Sequence, residues 1–83
     1  MADQPTLRLL CGRIASGKST LATELGHGPR TVVIREDDWL QALYGADLTS
    51  MRNYMRRAGR FRGDVGPHVA DLLTAGVSVV LDF

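Results

Sequence analysis

The residues with the most specific chemistry are Gly12, Arg13, Ile14, Ala15, Ser16, Gly17, Lys18 and Ser19. They fit the pattern G-x-x-x-x-G-K-[ST] at all four specified positions. Gly12 and Gly17 permit backbone conformations and close approaches that a Cβ would block. The N–H groups between them can point inward as a nest for an anion. A helix opening near Lys18 adds its unsatisfied N–H groups and the positive end of its dipole. Lys18 would place an ammonium between the β- and γ-phosphates, a catalytic as well as a binding role. Ser19 offers a hydroxyl to Mg²⁺, which prefers few protein ligands together with phosphate oxygens. Thr20, next along the helix, completes the expected phosphate-binding set. The ligand this predicts is a nucleoside triphosphate, Mg-ATP. The plain alternative is a glycine-rich turn with a surface lysine, but the motif follows a strand-like run and opens a helix-like one, as phosphate binding requires.

Two further carboxylate positions suit the same chemistry. Asp37 and Asp38 lie just past a β-branched run at 31–34. In an open α/β sheet, ligands sit beyond the carboxyl ends of the strands. Asp37 could therefore accept a proton from a substrate hydroxyl during phosphoryl transfer, or either aspartate could serve the start of a helix. Asp82 ends the apolar run 77–81 and is placed like an aspartate that binds Mg²⁺ directly or through water. The alternative for Asp82 is a charge that marks the strand end.

Other residues carry weaker signals. Arg52, Arg56, Arg57, Arg60 and Arg62 form a basic cluster, which suits either a solvated helix face or an anionic substrate. Arg52 and Arg56 share a face at i, i+4. His27 and His68 have no partner at metal-ligand spacing. Trp39 and Tyr44 fit core packing better than base stacking. Cys11 is expected to be a small buried residue, since no base accompanies it.

The elements that must position these groups follow from periodicity. Residues 7–11 read as a buried parallel strand. Residues 18–25 read as a helix with Leu21, Ala22 and Leu25 on one face. Residues 31–34 form a second strand, about 38–43 a short helix, and 77–83 a third strand. Between 50 and 75 the apolar spacing is helical, but Gly59, Gly63 and Gly66-Pro67 predict two helices rather than one, with Pro67 in the first turn of the second. Strands alternating with helices imply a three-layer αβα fold of the P-loop NTPase type, with helices around a parallel sheet. About three strands are present, so residues 1–83 are expected to be the N-terminal part of a single nucleotide-binding domain.

Composition sets the limits. A chain of 83 residues allows one small domain. The net charge of +1 gives no electrostatic footprint for nucleic acid. No apolar run approaches the roughly 18–20 residues that span a bilayer. A lone cysteine allows no internal disulfide. The expectation is a cytoplasmic protein whose partners are a nucleoside triphosphate and an unidentified small-molecule acceptor, with neither nucleic acid nor membrane among them.

Residues 10–22, with Val33-Ile34-Arg35-Glu36-Asp37-Asp38 and the run 76–83, resemble the small P-loop kinases and AAA-domain ATP-binding proteins, a group related to zeta toxins and chloramphenicol phosphotransferases. The resemblance implies a five-stranded parallel sheet and ATP-dependent phosphorylation of a small molecule. It makes Asp37 the substrate-facing general base and places Asp82 on the metal-binding strand. Leu40 departs from the pattern, because relatives often carry arginine there. The lid arginines and adenine-binding segment are expected beyond Phe83. An ATPase or switch, or a non-catalytic nucleotide-binding module, are the alternatives to a kinase.

Overall fold

In a computed structural model, residues 4–11 and 17–83 are described. The elements are β1 (Leu7–Leu10), α1 (Lys18–Gly26), β2 (Thr31–Arg35), α2 (Glu36–Tyr44), a short 3-10 helix (Gly45–Asp47), α3 (Met51–Thr74) and β3 (Ser78–Asp82). The three strands form one parallel sheet in the order β1-β3-β2. This is the expected α/β architecture, a parallel three-stranded sheet with helices, as in a P-loop NTPase fold.

The central place of β3 explains its composition. Val79 and Val80 point to opposite faces and both are buried, as a strand covered on two sides requires. On one face Val79 and Ile34 pack with Ala58, Phe61 and Val69 of α3 and Leu40 of α2. Leu81 and Phe83 join this cluster from the edge. On the other face lie Val80, Asp82 and α1, whose Ala22 is fully buried. Gly26 ends α1 where a Cβ would come within 2.4 Å of the Val33 side chain, so only glycine permits this approach.

Four expectations are corrected. β1 is not a buried strand: it lies at the sheet edge, and Leu7 and Leu9 are 50% and 58% exposed. Its apolar sequence matches β3 on one side only, since α3 packs over β3 and leaves the β1 side of that face uncovered. Leu21, expected on the buried face of α1, is exposed. Cys11 is exposed rather than buried, because it follows the last residue of this edge strand. The region 50–75 holds one helix, with Pro67 inside it. Gly59, Gly63 and Gly66 have open space where a Cβ would stand. The glycines therefore lie on the outer side, while Ala58, Phe61 and Val69 bury the inner one. That continuous apolar stripe holds the helix together across residues of poor helix propensity.

Candidate nucleotide site at the carboxyl rim of the sheet

Gly17 precedes α1 with φ +79, a left-handed conformation that glycine adopts without strain. Among the described residues no side chain caps the helix, and no acidic residue occupies its first turn. The first N–H groups of α1 thus keep their donor capacity for an anion. Gly12, Arg13, Ile14, Ala15 and Ser16 lie outside the described residues, as does the side chain of Ser19. Thr20 is exposed in the first turn of α1.

Lys18 and Asp82 are brought together. The Lys18 Nζ lies 3.0 Å from Asp82 Oδ1, and the two side chains are only 9% and 7% exposed. The other carboxylate oxygen, Oδ2, accepts a hydrogen bond of 2.9 Å from Arg35 Nη1. Arg35 also donates from Nη2 to Thr23 Oγ1 at 2.7 Å. Asp82 pairs directly opposite Arg35 in the β2–β3 register, so adjacent strands supply both partners. A buried carboxylate requires such compensation. Lys18 also lines a recess of about 260 Å³ with Leu9, Leu10, Cys11, Gly17 and Leu21.

The first turn of α2 forms the second half of the rim. Glu36, Asp37 and Asp38 all fall in that turn, where the helix dipole favours negative charge. The N-cap is Arg35 and has no side-chain capping bond. Asp37 instead accepts a hydrogen bond from the Tyr54 hydroxyl of α3. Burial, and then the hydrogen bond to Asp37, push the Tyr54 phenol up to about 12. Glu36, 3% exposed, accepts two bonds from Arg62, at 2.7 Å from Nε and 3.0 Å from Nη2. This fork raises the Arg62 guanidinium above its ordinary range. Arg62 therefore ties α3 to the first turn of α2. Asp38 is exposed.

The arginine cluster resolves into separate tasks. Arg56 donates to Asn53 at 3.1 Å. Arg57 stacks over the Tyr44 ring at 4.5 Å, 3.9 Å from Asp47. Arg62 alone among the five pairs with the first turn of α2, and it also stacks over Phe83 at 5.1 Å. Arg52 and Arg60 are exposed. Trp39 is half exposed yet lies 5.9 Å from Phe61. Sequence reasoning missed Arg35, Glu36 and Tyr54 as site-forming residues. For Arg35 and Glu36 the available signal was their place beside Asp37 at a strand end. For Tyr54 there was none, because its helix meets α2 only through the tertiary fold.

The donor set fits Mg²⁺ and a phosphate chain. Among the described residues, no three His, Cys, Asp or Glu side chains converge as a metal site. An ion there would take few protein ligands and draw the rest from phosphate and water, as Mg²⁺ does. Asp82 lies beside the motif lysine, paired with Lys18 and Arg35.

Comparison with known proteins agrees with this arrangement. A family model described as "AAA domain" matches residues 7–83. No curated protein and no solved structure matches the chain. The chain belongs to that AAA-domain family and is a P-loop nucleotide-binding protein.

Proposed function

We propose that this AAA-domain protein is a kinase that transfers the γ-phosphoryl group of ATP to a hydroxyl of a small molecule. The observation that supports this most is the shared rim. Lys18 and Asp82 meet at 3.0 Å at the ends of α1 and β3, and Asp37 stands in the first turn of α2, just past the adjoining strand β2. A phosphate grip and a candidate base thus occupy neighbouring strand ends, where α/β folds place ligands.

Mg-ATP would supply the transferable phosphoryl group and the divalent charge that offsets its oxygens. With nucleotide bound, Lys18 would turn from Asp82 to the phosphates. Asp82, held by Arg35 through Oδ2, would have Oδ1 for the ion or its water. Ser19 would offer its hydroxyl to the same ion, and the motif residues Gly12, Arg13, Ile14, Ala15, Ser16 and Gly17 would hold the phosphates. Asp37 accepts the proton of the acceptor hydroxyl. The resemblance of residues 10–22 to the small P-loop kinases favours a small-molecule alcohol as acceptor. A single cysteine suits a reducing setting, and the cytoplasm is part of the same proposal.

The test compares phosphate release with phosphoryl transfer across a panel of small alcohols, using Mg-ATP, the wild-type chain and Asp37→Asn. A kinase transfers to at least one alcohol, and Asp37→Asn lowers that transfer about 100-fold or more while ATP binding persists. Phosphate release without transfer to any alcohol would assign the chain to the ATPases instead.

A further inference from the structure

Helix α3 reaches the first turn of α2 with two side chains, and they take consecutive residues. Arg62 binds Glu36 and Tyr54 binds Asp37. Tyr54 and Arg62 lie about two turns apart, on the side of α3 that also buries Ala58 and Phe61. The Glu36–Arg62 pair has a plain structural purpose, since a carboxylate 3% exposed needs a partner. Asp37 is exposed and has no such need. Its bond to Tyr54 must be explained otherwise.

The location of Tyr54 is fixed independently of that bond. Ser50 caps α3 by accepting from the Asn53 N–H at 3.1 Å, and the Tyr54 N–H donates to the Ser50 carbonyl at 2.9 Å. Asn53 also donates to the Asp47 carbonyl. Tyr54 therefore stands one turn into a helix whose start is tied down. The phenol donates to Asp37 Oδ1.

We propose that Tyr54 is the positioning residue for Asp37: its hydroxyl holds Oδ1 and turns Oδ2 towards the acceptor hydroxyl. This rests on the reading of Asp37 as the general base. A carboxylate on an exposed first turn otherwise samples several rotamers, and only some direct an oxygen at the acceptor. With its ionisation pushed up to about 12, Tyr54 remains a donor throughout the neutral range. The neighbouring charges leave this pair intact. Glu36 is committed to Arg62, Arg35 to Asp82, and Asp47 lies against Arg57. Asp38 sits beside Asp37 on α2 and is exposed.

The experiment follows the Asp37 carboxyl by carbon-13 NMR as pH is varied, in the full chain and in Tyr54→Phe. ATP hydrolysis, with water as the acceptor, is measured in parallel. Loss of the donor should move the Asp37 carboxyl resonance at every pH and widen its side-chain rotamer distribution, and kcat should fall about tenfold with KM for ATP unchanged. An unchanged rotamer distribution in Tyr54→Phe, with hydrolysis still lost in Asp37→Asn, would overturn the positioning role and leave the base intact. A widened distribution with hydrolysis indifferent to both variants would instead sink the reading of Asp37 as base, and the catalytic role of Tyr54 with it. Should Tyr54→Phe fail to fold, 3-fluorotyrosine incorporation replaces it. The more acidic phenol donates more strongly and should narrow the distribution, and an unmoved resonance would again overturn the proposal.

Discussion

The Lys18 ammonium lies 3.0 Å from the Asp82 carboxylate, which the Arg35 guanidinium holds from its other side. Three elements, α1, β2 and β3, therefore meet on one buried carboxylate. Removing that charge leaves two cations facing each other. Asp82→Asn should cost about 2 kcal/mol in urea unfolding, less than a fully buried pair because Arg35 is partly exposed. A change within about 0.5 kcal/mol would show that solvent screens all three groups.

Tyr54 makes stability fall at alkaline pH. Its phenol titrates near 10 in the unfolded chain and at about 12 when folded. Folding therefore favours the protonated form. The associated stability is fully present below pH 10 and is lost as pH rises from 10 to about 12. Other tyrosine, lysine and arginine groups titrate there too, so the useful quantity is the difference from Tyr54→Phe. Wild type should lose about 1 kcal/mol more than the variant between pH 9 and 11, allowing for solvent screening. Parallel curves for the two proteins would contradict the burial of the phenol and its bond to Asp37.

Gly59 and Gly63 stand within a continuous helix, with open space at their missing Cβ atoms. Gly59→Ala and Gly63→Ala should each raise stability by about 0.5–1 kcal/mol, read from the denaturant midpoint at constant slope. Two separate helices broken at these positions would predict loss instead.

Those same glycines show what the sequence could and could not disclose. Propensity reads Gly59, Gly63, Gly66 and Pro67 as a break, and locally that is sound. The apolar face from Ala58 to Val69 overrides it through tertiary packing. The phosphate-binding motif was legible because its pattern is local: glycine, lysine and serine at fixed spacing between a strand and a helix. Asp37 and Asp82 were legible as strand-end carboxylates, because topology alone puts strand ends on one rim. Their partners were not. Tyr54 meets Asp37, and Arg35 meets Asp82, only after the sheet has chosen the order β1-β3-β2. The exposure of Leu7 and Leu9 was hidden for a related reason, since an apolar strand reads alike at an edge and at the centre.

The most direct test of nucleotide binding is calorimetric titration of Mg-ATP into the wild-type chain and into Lys18→Ala. Loss of the ammonium from the phosphate grip should weaken binding about 100-fold or more, roughly 3 kcal/mol, with the far-ultraviolet circular dichroism unchanged. Equal affinity in the two proteins would contradict the assignment of this rim as the nucleotide site.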